Sequence, residues 1–428
     1  MFPIEDAAAA LRDRQTTDGL VVPDYEGFCF ANVPGTVGDL FGVDVGPTLP
    51  DDALAGVGTD VSHVVVVLLD GLGWRRFHRD KGDHRLLARL DDRAVVTPLT
   101  SVAPCSTASA ITTVHTAATP ADHGVFGWDV RLPDHETTVE VFPHQVRADG
   151  EASARAAARR PPVPADEVVA ADPIYPDLAA AGVDPAVVQP AETLGSEYAA
   201  ATFDGASQIP YESFVDGTTA LRERLEGVGG RSYTYLYAPD LDSASHDYGT
   251  DSGAYHHALA RLTRILSETL YDDLAAETAA ETLLILTADH GLVDFEPGPE
   301  GCLDLLSVDG VADSLARDAT GEPIQPWGDY RLLHLAIRDG ECERARRALE
   351  SRGALVLSRE QVRERGVFGP ETGETFERRC GDLVCTHPDL KLTWPSAEKI
   401  LPKIGMHGGP TAREMIVPFA AARLSNLQ

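Results

Sequence analysis

Basic residues are scarce: 36 lysines and arginines stand against 67 aspartates and glutamates, a formal net charge of −31. A chain so acidic repels nucleic-acid phosphates and anionic lipid, which excludes nonspecific binding to either through a basic patch. Lysine is scarcer still, since Lys81, Lys391, Lys399 and Lys403 are the only four and the remaining basic residues are arginines. An acidic, lysine-poor surface is expected of a protein working in molar salt, where the Debye length shrinks to ~3 Å and like charges hardly repel. Long apolar runs are also missing. The longest, VVVVLL at residues 64–69, is far short of the ~20 residues that span a bilayer. The N-terminal stretch MFPIEDAAAALRDRQTTDGL carries acids where a secretory signal carries lysine or arginine. A soluble, cytoplasmic protein without a membrane partner is therefore expected. Six scattered cysteines, with Cys380 and Cys385 the only close pair, point to buried free thiols rather than a disulfide scaffold.

What is present suits a packed α/β protein. The apolar share is 43%, enough for a substantial interior. The length fits two or three domains, or one large core with an insertion. HVVVVLLDG, YTYLYAPDLD and LLILTADHG each read as a buried parallel strand ending abruptly in polar residues. Helical stretches lie between them, one following Ser109 and one from about Tyr255 to Leu274. The expected fold is a three-layer α/β/α sandwich around a mainly parallel sheet. EASARAAARR reads as a helix that stops at Pro161 and Pro162. After the third strand RLLHLAI alternates like a half-exposed strand, CERARRALESRG resembles an amphipathic helix and GALVL another strand. This predicts an α+β cap at residues 296–395, inserted in a core formed by residues 1–295 and 396–428. The closing HGGPTAREMIVPFAAARL reads as a return to helix, with Thr411 and Glu414 at capping-box spacing and Pro418 disturbing the run.

Ligands of open α/β sheets bind beyond the carboxyl ends of strands, so the polar residues there are the first candidates. Asp70 ends the first strand. The second delivers Asp240, Asp242, His246 and Asp247; Asp242 and His246, four apart, would share one side of a helical turn. A solvated acidic turn would account for the aspartates but not for the histidine. The third strand ends in Asp289-His290-Gly291, where adjacent carboxylate and imidazole can converge on one cation. His407, between flexible residues, adds another imidazole. Ser106 and Thr107 follow Pro104 where a helix can begin, and a hydroxyl there lies beside unpaired backbone N–H groups. A simple N-cap is the plain alternative.

In order and spacing these residues resemble the alkaline phosphatase superfamily, most closely its type I phosphodiesterase and nucleotide pyrophosphatase branch. The carrying features are an Asp after strand one, a Thr opening a helix, D-x-x-x-H, D-H-G and a late H-G. The resemblance spans residues 61–128, 231–294 and 402–424 and leaves the cap unmatched. It implies an alkaline phosphatase-like fold. It also implies two divalent metal ions, zinc or else manganese. Asp242, His246 and His407 would hold one, and Asp70, Asp289 and His290 the other together with the nucleophilic hydroxyl. Counting from Thr116-Ala117-Ala118-Thr119-Pro120-Ala121-Asp122-His123-Gly124 puts the nucleophile at Thr107, with Ser106 the alternative. Two departures stand out. The family's phosphate-binding Asn falls on Trp128, and the usual T-G is Thr116-Ala117. Cys105 lacks the C-x-P-x-R context of sulfatases.

The implied activity is hydrolysis of a small-molecule phosphate ester or nucleotide, most simply as a phosphodiesterase or nucleotide pyrophosphatase passing through a phospho-threonine. The same core also serves phosphomonoesterases, phosphonate hydrolases and metal-dependent phosphosugar mutases. A non-catalytic phospholigand-binding protein is the alternative of another class. Pocket walls that separate these activities are expected from the cap and from residues 129–211.

Overall fold

The structure, a computed structural model, describes residues 11, 19–148, 163–395 and 397–428. The expected helix at residues 151–160 lies outside the described residues. The central sheet has seven strands: β1 (His63–Leu69), β2 (Val95–Thr100), β3 (Val183–Pro190), β4 (Ser207–Tyr211), β5 (Arg231–Ala238), β6 (Thr282–Thr287) and β7 (Ile416–Arg423), in the order β2-β7-β6-β1-β5-β3-β4. At its centre β1 runs parallel to β5 and β6, with Val66 opposite Tyr235 on one side and Ile285 on the other. All seven residues of β1 are buried. That explains an uninterrupted apolar run instead of alternation, since both faces of a central parallel strand are covered. Helices Arg85–Arg93 and Phe214–Gly227 pack on the two wings of the sheet, against β2 and β7 and against β3 to β5. The mixed α/β class with a large, mainly parallel sheet is as expected. Among the described residues no helix is long and apolar enough to cross a membrane, and all six cysteines are free.

Three helices position chemistry or its support: α1 (Thr107–Thr116), α2 (Asp240–Tyr248) and α3 (Gly253–Ser267). The last continues as a wider turn over Glu268–Asp273, so the helix expected from Tyr255 to Leu274 forms. The C-terminal expectation fails. Helix is confined to Ala412–Met415, and residues 416–423 form β7, antiparallel to both β2 and β6. IVPFAAA carries no polar face because both of its faces are buried, and burial between two strands overrides the helix propensity of the alanines. Pro418 is tolerated opposite Pro98, and its carbonyl still accepts the Thr287 hydroxyl at 2.8 Å. Thr411 and Glu414 do meet, but the Thr411 hydroxyl donates to the carboxylate at 2.6 Å instead of capping the backbone.

A second sheet orders Trp327–Asp329, Leu332–Leu335, Leu383–Thr386 and Leu355–Ser358, with antiparallel pairing throughout. Leu332–Leu335 is wholly buried, not half exposed as its alternation predicts. Leu333 and Leu335 join an apolar cluster with Ala345 and Leu349 of the helix Cys342–Glu350. Leu332 faces a different cluster with Phe126 and Phe368, and its neighbour His334 stacks on Phe126 and Trp327 at 5.5 and 5.6 Å.

Candidate active site

Five chain segments meet at one edge of the central sheet. Asp70 follows β1, Asp242 and His246 sit on α2 just after β5, and Asp289 and His290 follow β6. His407 precedes β7. Because β7 runs against its neighbours, its beginning lies at the same edge as their ends. Thr107 is the first residue of α1, which the loop after β2 carries to that edge. Ser106 is the N-cap, its hydroxyl accepting the Ser109 N–H at 3.4 Å and contacting the Ser109 hydroxyl at 3.2 Å. Thr107 is thereby released to face the cluster, with Oγ1 3.1 Å from His290 Nε2.

The seven expected residues form one continuous group. His290 Nε2 lies 3.2 Å from Asp70 Oδ1 and 3.4 Å from Asp289 Oδ2. His246 Nε2 lies 3.1 Å from Asp242 Oδ2, and His407 Nε2 is 3.8 Å from Asp242 Oδ1. The rings of His290 and His407 stack at 3.6 Å. Asp242, His246 and His407 offer ligand atoms all within 4.8 Å of one another, and so do Asp70, Asp242 and His290. Asp240 and Asp247 point elsewhere. Asp240 pairs with Arg261, and Asp247 with Lys403 at 2.6 Å.

Each imidazole has its other nitrogen at a backbone carbonyl: His246 Nδ1 at Gly405 O (2.6 Å), His407 Nδ1 at Cys105 O (3.3 Å) and His290 Nδ1 at Gly291 O (3.2 Å). A proton held on Nδ1 leaves the Nε2 lone pair free, the arrangement usual for metal-ligating histidines. The carboxylates are held on one oxygen only. Asp70 Oδ2 accepts the Tyr237 hydroxyl, and Asp289 Oδ1 accepts the N–H groups of Gly71 (3.2 Å) and His290 (3.0 Å). Their other oxygens, Asp70 Oδ1 and Asp289 Oδ2, are buried without a hydrogen-bond partner, as is Asp242 Oδ1. Three orphaned anionic oxygens beside three imidazole lone pairs fit divalent cations, because an unpaired buried charge is otherwise very costly.

Without cations, protons would balance the buried carboxylates. Burial, reinforced by Asp289 and Asp242, pushes the Asp70 carboxyl well above its ordinary value. Burial also raises Asp289, against the pull of His290. For His246 burial works downward, but the Asp242 carboxylate overrides it and lifts the imidazole to about 9. His407 is driven well below its usual value by burial and by His290.

A cavity of about 330 Å³ opens on this group, reached by Asp70, Thr107, Asp242, His246 and His407. Tyr237 and Asp329, both in its lining, were not singled out in the sequence. Tyr237 is the last residue but one of β5, indistinguishable there from a core tyrosine. Asp329 is the last residue of the strand Trp327–Asp329 in the second sheet, where the sequence carries no neighbouring histidine to mark it. Asp329 is buried, and burial raises its carboxyl to about 7. Trp128, where an Asn is usual, lines the cavity and hydrogen-bonds Glu140. His123 is structural, with Nε2 at the Thr113 hydroxyl (3.0 Å) and Nδ1 accepting the Val125 N–H (3.0 Å).

The family model for type I phosphodiesterase / nucleotide pyrophosphatase matches residues 64–409. The chain belongs to this family. It is accordingly a hydrolase acting on phosphoester bonds, in a metal-dependent family of the alkaline phosphatase superfamily. Solved structures agree on the fold. Murine ectonucleotide pyrophosphatase / phosphodiesterase 5, as an inactive variant in complex with AMP, superposes with a TM-score of 0.59 at 16% identity, covering 84% of this chain and 87% of that one. The human counterpart gives 0.60 at 17% identity over the same shares. Phosphonoacetate hydrolase from Sinorhizobium meliloti, in complex with phosphonoacetate, gives 0.58 at 17% identity, covering 86% of this chain and 94% of that chain. Among curated proteins, none matches the chain significantly.

Proposed function

We propose that the protein is a phosphodiesterase that uses Thr107 as nucleophile at a two-metal site. Asp242, His246 and His407 would hold one cation, and Asp70, Asp289 and His290 the other. The observation that carries this reading is the set of three partnerless carboxylate oxygens gathered with three imidazole Nε2 atoms beside one threonine hydroxyl. Bound divalent cations supply Lewis-acid charge to the phosphoryl group and to its entering and leaving oxygens.

The chain's own residues provide position and exclusion of water. The first turn of α1 fixes Thr107 and presents backbone N–H groups, which favour a phosphoryl oxygen; this support stands in for the Asn replaced by Trp128. The Thr107 oxygen bonds to phosphorus as one ester arm departs, and the hydroxyl proton leaves with that arm as its alcohol. Water then cleaves the phospho-threonine, restoring the hydroxyl and releasing the monoester. Ser106 is the weaker candidate because its hydroxyl is engaged in capping α1. Residues 296–395 are proposed as the cap that supplies Asp329 and Tyr330 to the cavity, and the acidic, lysine-poor surface supports work in molar salt.

Turnover of bis(p-nitrophenyl) phosphate and p-nitrophenyl phosphate in molar KCl tests the reading. The diester is the preferred substrate, Thr107→Ala abolishes its turnover, and Ser106→Ala retains it. Strong preference for the monoester refutes a phosphodiesterase, and an active Thr107→Ala refutes the covalent route.

A further inference from the structure

Away from the metal-facing cluster, the cavity is walled by Trp128, Phe142, Tyr330, Ile400 and Met406, with Asp329 set among them. Among the described residues no lysine or arginine lines it. The cations in its neighbourhood are already engaged. Lys399, adjacent to Ile400 in the chain, holds Glu140 at 2.9 Å. Arg147 is turned to Asp129 at 2.8 Å and to the Trp394 ring at 5.1 Å. The aromatic walls are fixed by their own neighbours: Trp128 meets Phe142 edge-on at 5.5 Å, and Tyr330 stacks on Trp394 at 5.4 Å. Rigid rings of this kind bind flat or apolar groups with little ordering cost.

A carboxylate or second phosphate pressed against that wall would lose its hydration and gain no cationic partner, a net cost in a partly apolar cavity. It would also approach the Asp329 side chain. A hydroxyl, by contrast, finds in Asp329 a buried carboxyl oxygen on the cavity wall.

We infer that the ester arm bound in this cavity is uncharged, a flat or apolar body bearing a hydroxyl for Asp329, so that the scissile phosphoryl group is the only anionic part of the substrate the site accepts. This rests on the phosphoester-hydrolase reading above and narrows it. Diesters with a neutral arm are substrates; esters or anhydrides whose arm carries its own carboxylate or further phosphates are rejected.

The test uses two p-nitrophenyl phosphodiesters that differ only in the second arm, phenyl against 4-carboxyphenyl, with the manganese- or zinc-loaded full chain in dilute buffer and in molar KCl. The kcat/KM ratio favours the phenyl ester by about tenfold or more. The preference persists in molar salt, where the field of the whole acidic protein is screened, and it shrinks in Asp329→Asn. Equal turnover of the two esters, a preference for the carboxylated one, or a preference that vanishes in molar salt overturns the inference while leaving the hydrolase reading intact. If neither ester is hydrolysed, the hydrolase reading fails, and calorimetric binding of phenyl and 4-carboxyphenyl methylphosphonate to the metal-loaded Thr107→Ala variant decides the inference by itself. Tighter binding of the phenyl compound sustains it; equal, reversed or absent binding overturns it.

Discussion

Replacing Arg331 by Met removes the cation that holds the loop carrying His407. Arg331 and Glu414 are both fully buried and paired in bidentate fashion, Nε to Oε1 at 2.9 Å and Nη2 to Oε2 at 3.1 Å. Arg331 Nη1 also donates to the carbonyls of His387 and Leu390 at 2.6 Å each, and the guanidinium lies 4.4 Å above the Phe295 ring. Glu414 in turn accepts the Gly409 N–H at 3.0 Å and the Thr411 hydroxyl, which ties the pair to the backbone two residues beyond His407. Breaking one side of a buried ion pair costs ~3–5 kcal/mol, chiefly because the survivor is left charged and unpaired. Here Glu414 keeps two donors, so the loss belongs at the low end, about 3 kcal/mol. Urea unfolding in molar KCl measures it. The double variant Arg331→Met/Glu414→Leu removes the stranded charge and is less destabilised than the single one. A single-variant loss below about 1 kcal/mol, or a double variant at least as unstable as the single, would refute the reasoning.

Two further outcomes follow from the geometry. Between pH 6.5 and 9 the chelated protein loses stability as pH rises. His246 is lifted to about 9 by Asp242 against burial; a raised imidazole value stabilises below the unfolded value and that stability is lost on passing the folded one. His246 alone contributes about 3 kcal/mol at most. His407, whose value is lowered, adds nothing to the slope above pH 6.5. Metal binding strengthens as ligands deprotonate, so the gap in Tm between metal-loaded and chelated protein widens across that window, and a constant gap would count against it. Ala117, at φ 55°, closes α1 in the left-handed region that favours glycine. Ala117→Gly raises stability by ~0.5–1 kcal/mol, read from the shift in urea midpoint.

The parts of the fold legible in the sequence were those with one-sided physics. β1 and β6 show as apolar runs and β5 as a tyrosine-rich one because both faces of each are covered, and the polar residues that follow them are the site. Counting from the stretch Thr116 to Gly124 favours Thr107 and leaves Ser106 as the alternative. Two contacts in the structure distinguish the hydroxyls, the capping bond of Ser106 and the 3.1 Å approach of Thr107 Oγ1 to His290 Nε2. β7 was illegible because its alanines satisfy a helix as readily as a strand, and what decides is burial between two distant strands. Leu332–Leu335 misled in the same way: His334, polar in the sequence, is buried among aromatic rings. Asp240 and Asp247 resembled Asp242 in sequence, yet α2 turns them toward Arg261 and Lys403. Asp329 reaches the cavity from the second sheet, about 80 residues before His407, a juxtaposition that no local pattern encodes.

The central claim is that seven side chains hold two cations. Metal content of the purified, zinc- or manganese-equilibrated protein after exhaustive dialysis tests it most directly, with Asp242→Ala measured alongside. Two divalent ions per chain are predicted for the parent protein, and at most one for the variant, since Asp242 has ligand atoms within reach of both clusters. A parent chain that retains no metal, or a variant that still retains two, would contradict it.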